Sequence, residues 1–225
     1  MQNQTADLSW RSGSVPVSKR FDDPYFSLEN GLDETQHVFL QGNNLPTRFH
    51  DGFHVAELGF GTGLNFLATL QAWQQKGCSG TLYFTSFEAF PMCRDDMAKA
   101  LSRFADCGLE IAALADLWKP EGGRFALPDR VFLEVILGDA RETLPMWPSR
   151  ADAWYLDGFS PAKNPELWSP ELMAEVGAHT MPGGTCASYT AAGFVRRGLT
   201  AAGFAVERRS GYGRKRHMTC GTWPE

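Results

Sequence analysis

The chain predicts an α/β protein: a doubly wound, Rossmann-like, mainly parallel sheet with helices on both faces and an antiparallel C-terminal edge. Three observations carry this. Strand-length apolar runs alternate with segments of helical period from residue 54 onward, a glycine-rich turn joins the first such strand to its helix, and acidic residues recur where strands end. Parallel strands joined through helices need cover on both faces of their sheet.

The first 50 residues predict an extension packed on the core and no separate domain. After a polar start, Phe21-Asp22-Asp23-Pro24-Tyr25-Phe26 and Gly31 to Leu40 predict short strands and turns, a small N-terminal β extension. The core domain then covers residues 51–225. A strand running to Phe60 leads into a helix to about Lys76, then come a strand over Thr81 to Glu88, a helix from about Pro91 to Phe104 and a second helical piece over Gly108 to Trp118. Pro120 to Arg130, with its glycines and prolines, predicts a turn or hairpin ahead of the strand Val131 to Leu137. Strand Ala153 to Leu156, a helix from about Pro165 to His179, strand Thr185 to Tyr189 and a helix from Phe194 to Ala202 complete the alternation. Ala205 to Arg209 and His217 to Thr222 predict a closing antiparallel pair across Ser210 to Arg216.

At 225 residues and 43% hydrophobic content, the chain can bury one substantial core. No apolar run approaches the roughly 18 residues of a membrane helix, and Met1 to Trp10 lacks the apolar stretch of a signal peptide, so no membrane association and a cytoplasmic location are expected. Five cysteines without a CxxC pair predict thiols that are mostly reduced and packed. His50 and His54 lack the glutamate of an HExxH motif, and no metal is expected. The net charge of −5 is unevenly spread: Phe194 to Arg216 carries seven cations against Glu207 alone, a net of +6, which leaves −11 for the remainder. One basic face on an acidic body suits a phosphate backbone, and a solvated charged face is the competing explanation.

Glu57-Leu58-Gly59-Phe60-Gly61-Thr62-Gly63-Leu64-Asn65 reads as strand, turn and helix start. Glycine permits positive φ and close backbone approach to a ligand, and the unpaired amides at the following helix N-terminus favour an anionic group. A dinucleotide fingerprint reads GxGxxG, whereas here Gly61-x-Gly63-x-Asn65 follows an acidic strand residue, Glu57. A carboxylate beside the turn repels a pyrophosphate but can accept from a cationic amine. That favours S-adenosylmethionine over NAD and makes Glu57, Gly59, Phe60, Gly61, Thr62, Gly63 and Asn65 candidate cofactor residues. A tight turn that binds nothing is the alternative.

Ligands of open parallel sheets sit beyond the carboxyl ends of the strands. Glu88 ends the second strand, 25 residues beyond Gly63, where a carboxylate can accept from both ribose hydroxyls. Asp139 ends the next strand and is a candidate for the adenine amino group, with capping of the helix near Arg141 an equal competitor. Asp157 ends the strand Ala153 to Leu156 and is followed by Gly158-Phe159-Ser160-Pro161-Ala162-Lys163-Asn164-Pro165. This segment loosely resembles the [D/N]PP[Y/F] motif of amino-methyltransferases, with Gly158 in place of the first proline and Pro161 displaced.

Taken together, ELGFGTGLNF, SFEAFP, LDGFSPAKNPELW, GGTCASYTAAGFVRRGL and GYGRKRHM resemble the methyltransferase domain of the MnmC/MnmD type, and the similarity runs from FDDPYFS at Phe21 to Cys220. That family completes 5-methylaminomethyl(-2-thio)uridine at the tRNA wobble position on a class I S-adenosylmethionine-dependent methyltransferase fold. The resemblance implies S-adenosylmethionine as cofactor, the tRNA anticodon arm as partner and a primary amine on uridine C5 as nucleophile, with Asp157 as its catalytic acceptor. It further implies Tyr25, Phe26 and Phe159 as walls for an unstacked base, and Lys163, Arg214, Lys215 and Arg216 as phosphate contacts; for Tyr25 and Phe26 core packing is an equal expectation. Bifunctional members add an FAD-dependent oxidoreductase that removes the carboxymethyl group. No second dinucleotide fingerprint occurs here, so methylation without oxidation is expected, beside a separate or fused oxidoreductase. A methyltransferase for a small-molecule amine and a noncatalytic cofactor-binding partner of a tRNA-modifying complex are the competing readings.

Overall fold

The computed structural model describes residues 5–27 and 30–225. The N-terminal extension holds a three-stranded antiparallel sheet of β1 (Leu8–Arg11), β2 (Val15–Ser18) and β3 (Asp23–Pro24), paired in that order. Its next segment departs from expectation: Gly31 to Leu40 is helical, as α1 (Gly31–Thr35) and a π-helical turn (Gln36–Leu40). The reason is local. The Asn30 side chain accepts from the Asp33 amide, Asp33 and Glu34 lie in the first turn, and Leu32, Thr35 and Phe39 fall on one buried face at helical spacing. Residues 1–4, 28 and 29 of the expected extension lie outside the described residues.

The core follows the predicted alternation. In chain order it contains β4 (Phe53–Leu58), α2 (Leu64–Gln75), β5 (Leu82–Glu88), α3 (Arg94–Leu101), α4 (Ile111–Leu117), β6 (Gly123–Leu127), β7 (Val131–Leu137) and α5 (Ala140–Thr143). It ends with β8 (Ala151–Leu156), α6 (Pro170–Ala178), β9 (Thr180–Ser188), α7 (Gly193–Ala202), β10 (Ala205–Ser210) and β11 (His217–Thr222). The eight strands form one sheet in the order β10-β11-β9-β8-β4-β5-β7-β6. From β9 to β7 the strands are parallel; β6 on one edge and the β10–β11 hairpin on the other are antiparallel.

Several boundaries shift for physical reasons. The expected helix from Pro165 to His179 breaks at Pro170, which holds Ser169 extended; Ser169 then caps α6 by accepting from the Leu172 amide, and Pro165–Trp168 is a separate 3-10 turn. The helix expected from Pro91 begins at Arg94, because extended Cys93 is its cap. Strand β9 starts five residues early, since Thr180 already pairs with Ala151 across an irregularity in the register. His50 and His54 face Asp152 and Thr85. All five cysteines are free; Cys186 and Cys220 are buried, but Cys93 and Cys107 are exposed, against the expectation of packing.

Alternation along β8 feeds two cores. Ala153 and Tyr155 enter the one built with α2 and the extension, while Trp154 and Leu156 enter the one under α5, α6 and α7. Two cations fasten the end of the extension to this body. Arg48 donates from Nη1 to the Asn43 carbonyl (3.2 Å) and Thr185 Oγ1 (2.6 Å), and from Nη2 to the carbonyls of Asp152 (3.1 Å) and Gly183 (3.2 Å). Lys76, at the end of α2, donates to the carbonyls of Pro46, Thr47 and Phe49 at 2.7, 2.9 and 3.1 Å. Among the described residues, no helix is long and apolar enough to cross a membrane.

Replacing Arg48 with Met keeps most of the stem but leaves these acceptors without their charged donor. We expect a loss of about 2 to 4 kcal/mol of folding stability, read by urea denaturation at neutral pH. A loss within experimental error would show that this anchor contributes nothing.

Candidate active site

The topological switch of the sheet lies between β4 and β8, the strands whose chain connections run in opposite directions, and a ligand crevice opens there. Register brings its parts together. Leu58 pairs with Leu156 on one side and Phe87 on the other, so the turn after β4 lies between Asp157 and Glu88. Gly59 has φ +87°, and a Cβ there would sit 3.3 Å from the Asp157 carbonyl, so glycine lets the two strand ends approach. At Gly63, φ +77°, a Cβ would meet Leu114 at 2.8 Å.

A cavity of about 670 Å³ occupies this crevice. The expected residues Gly59, Phe60, Gly61, Thr62, Asn65, Glu88 and Asp157 line it, as do Tyr25, Phe26, Phe159, Arg214 and Lys215. Glu57 and Gly63 stand behind the wall, and Asp139, Lys163 and Arg216 are also off the lining. Glu57 is wholly buried within β4, with Leu58 between it and the turn.

The polar centre is Asn65, in the first turn of α2. Its Nδ2 donates to Glu57 Oε1 and to Asp157 Oδ2, both at 2.8 Å, while its Oδ1 accepts from Thr35 Oγ1 at 2.8 Å. Glu57 also accepts from Ser86 Oγ at 2.7 Å, and Asp157 Oδ1 from the Gly158 amide at 2.8 Å. Burial pushes the Asp157 carboxyl up to about 6, opposed by its hydrogen bonds from Gly158 and Asn65. Burial raises Glu57 well above the ordinary carboxylate value, and the neighbouring Asp157 adds to the rise.

Glu88 accepts from the amides of Gly61 (2.8 Å, Oε2) and Phe90 (2.7 Å, Oε1), which shapes the glycine turn. Asp139 resolves toward the capping alternative. Its carboxylate accepts from the Arg141 amide at 2.9 Å and pairs with the Arg141 guanidinium at 2.5 Å, which holds it below the usual carboxylate range.

Aromatic rings from the extension face the Asp157 loop. Phe159 stacks on Phe21 with centroids 4.6 Å apart and meets Tyr25 edge-on at 5.0 Å. Phe26 turns inward instead, edge-on to Phe104 at 5.3 Å, and is 8% exposed, so core packing is its main role. Lys163 donates to the Asp22 carbonyl and pairs with Asp23 at 3.3 Å, while Asp23 accepts from the Ser160 amide at 2.8 Å, so this lysine staples the loop to the extension. Lys215 points into the cavity, 2.7 Å from Glu34. Glu34, Tyr189, Tyr212, Phe21 and Phe90 also line the cavity, and sequence reasoning assigned none of them. Phe21, Phe90, Tyr189 and Tyr212 stood inside quoted motifs, FDDPYFS, SFEAFP, GGTCASYTAAGFVRRGL and GYGRKRHM; Glu34 carried no motif or spacing signal.

The crevice therefore combines a backbone turn, two strand-end carboxylates and an aromatic wall. Residues 112–224, half of the chain, match the family described as S-adenosyl-L-methionine-dependent methyltransferase. The chain belongs to this family. The methyltransferase is 47% identical over 232 residues to an Aeromonas hydrophila protein named tRNA 5-methylaminomethyl-2-thiouridine biosynthesis bifunctional protein MnmC, across 96% of this chain and 35% of that protein. A protein of the same name from Pseudomonas aeruginosa is 45% identical over 230 residues, with 98% and 35% covered. The chain thus spans about a third of the length of these relatives. The crystal structure of MnmC2 from Aquifex aeolicus superposes with a TM-score of 0.74 at 24% identity, covering all of this chain and 73% of that one, and shares the fold. The cofactor fits the crevice in chemistry: a sulfonium and an α-ammonium are cationic, and Glu88 and Asp157 supply carboxylates where Gly59 and Gly61 leave room for a ligand. Among the described residues, no group of three His, Cys, Asp or Glu side chains could hold a metal ion.

The raised Asp157 pKa has a stability consequence. The folded state binds this proton more tightly than the unfolded chain, so the stability it contributes at low pH is lost as pH rises through about 6. Asp157→Asn is expected to melt at higher temperature than the parent at pH 8, with the difference vanishing below pH 4; equal melting at pH 8 would refute the burial penalty.

Proposed function

We propose that the protein transfers a methyl group from S-adenosylmethionine to the amine of 5-aminomethyl(-2-thio)uridine at the tRNA wobble position, in the cytoplasm. The observation that carries this reading is Asp157: a half-buried carboxylate at the strand end beside the glycine turn, opening into a cavity walled by aromatic rings. The names of the relatives at 45 and 47% identity support the substrate. In this reading the aminomethyl group is delivered by an FAD-dependent oxidoreductase, separate or fused, that removes a carboxymethyl group.

When bound, S-adenosylmethionine supplies an electrophilic methyl group on a sulfonium. Glu88 takes the ribose hydroxyls, the Gly59–Gly63 turn gives the close approach, and Glu57 acts through Asn65. A primary aminomethyl group, bracketed between α-amino and lysine values, has a pKa of about 8 to 10 and is mostly protonated at pH 7. Freeing its lone pair costs about 1.4 to 4 kcal/mol, and holding the amine in line contributes about 7 to 11 kcal/mol in well-oriented systems. Asp157 is therefore a positioner first and a base second. It accepts an amine N–H, and with its carboxyl raised to about 6 it is a stronger base than an ordinary aspartate while still ionised at pH 7. Phe21, Tyr25 and Phe159 offer faces for an unstacked base.

The rim is cationic at Arg214 and Arg216, on the loop between β10 and β11, with Arg208 exposed on the edge strand. These residues suit the phosphates of the anticodon arm, whereas Lys163 is held by Asp22 and Asp23.

Methyl transfer to undermodified tRNA tests the reading directly, and absence of transfer would refute it. Asp157→Ala is expected to lower turnover by about 100-fold or more while S-adenosylmethionine affinity stays within a few-fold. Parent kcat/KM should fall as pH drops through about 6, when Asp157 takes up a proton. Replacing Arg214 and Arg216 with Gln should weaken tRNA binding and flatten its dependence on log salt by about one unit per phosphate contact; an unchanged slope would exclude them from the interface.

A further inference from the structure

We infer that Glu34, the Tyr189 ring and Asp157 form the seat for the substrate's ammonium group, and that Lys215 fills this seat until the substrate arrives. The inference rests on the amine-methylating reading above. Lys215 Nζ donates to Glu34 Oε1 at 2.7 Å and lies 4.0 Å from the Tyr189 ring centroid. All three residues line the cavity that holds Asp157. A carboxylate on one side and an aromatic face on another are the two groups that recognise an ammonium ion in a partly dry site.

The seat is built from fixed parts. Glu34 belongs to α1, its side chain 12% exposed, and its neighbour Thr35 donates to Asn65, which in turn donates to Asp157. One short hydrogen-bonded path therefore fixes the two carboxylates relative to each other. Tyr189 donates its hydroxyl to the Gly158 carbonyl at 2.8 Å, which holds its ring in place beside the Asp157 loop. The occupant has another character. Lys215 comes from the loop between β10 and β11, its side chain 46% exposed, on a flexible four-carbon stem.

Lysine and an aminomethyl group present the same head, a primary ammonium with three donors. A mostly buried glutamate without a partner would cost desolvation energy, and Lys215 removes that cost while no substrate is bound. An incoming aminomethyl group exchanges one ion pair for another of the same kind and frees Lys215 toward the rim beside Arg214 and Arg216. A uracil lacking the amine has nothing to offer Glu34 and cannot displace the lysine. Selection for the amine then resides at Glu34 and Tyr189 as well as at Asp157.

The test compares two tRNAs with one backbone: the KM of tRNA carrying 5-aminomethyl-2-thiouridine at the wobble position, and the Ki of the same tRNA with plain 2-thiouridine there. Contacts to phosphates cancel in the ratio of the two constants. In Glu34→Gln the preference for the amine should fall about tenfold, the loss expected for a charge-assisted hydrogen bond. In Lys215→Met it should rise about threefold, because the internal competitor is gone. S-adenosylmethionine affinity in both variants should match the parent, which separates this effect from misfolding. No methylation by the parent would sink the functional reading itself. Methylation with an unchanged ratio in either variant, or a fall in Lys215→Met, would overturn the seat while leaving the methyltransferase reading intact.

Discussion

One side-chain amide governs the site. Two buried carboxylates, Glu57 and Asp157, accept from the two N–H bonds of Asn65. They lie one amide apart in a low-dielectric interior, so ionisation of one discourages ionisation of the other, and Glu57, being fully buried, yields first. Only an amide fits at position 65. A carboxylate would add a third negative charge, and an apolar residue would strand both oxygens and the Thr35 hydroxyl. Placement in the first turn of α2 assists, because the positive end of the helix offsets the charge that Asp157 keeps.

The same amide ties the extension to the chemistry. Thr35 reaches Asn65 from α1, Asp23 holds the Ser160 amide, and Phe21 stacks on Phe159. Described residues of the extension between Phe21 and Phe39 thus form one wall of the cavity and are not a decoration on a finished domain. Helix α1 sets Glu34 opposite the Asp157 loop, and the π-helical turn after it turns Phe39 onto Tyr155, stacked at 5.3 Å, beneath the site. Arg48 and Lys76 fasten the rest of the segment by binding its backbone carbonyls and those of β8 and β9.

Periodicity made the sheet legible because each core strand is a buried apolar run bounded by glycine, proline or a capping residue. The strand-end acids were legible for the same reason: once strands are placed, Glu88, Asp139 and Asp157 must lie at one end of the sheet. Which of them lines the cavity was not, since Asp139 differs only in having Arg141 two residues on to claim it. Gly31 to Leu40 was misread because a glycine at the first helical position and a β-branched residue near the middle mimic a turn and a strand, while the Asn30 cap shows itself only through its bond to Asp33. Glu34, Tyr189 and Lys215 converge from three distant segments. Their proximity comes from topology, and no local spacing encodes it.

The outermost strand carries a separate consequence. Beta-strand β10 exposes an unpaired backbone edge, the kind of template on which other chains add strands and aggregate. It bears Glu207, Arg208 and Arg209 in succession, with Arg209 and Glu207 paired at 2.6 Å. Charges at that density make a foreign strand desolvate them before it can pair. Under the proposed function the cations that suit this edge to a large polyanion also protect it from its own kind, so that recognition and colloidal stability draw on the same few side chains.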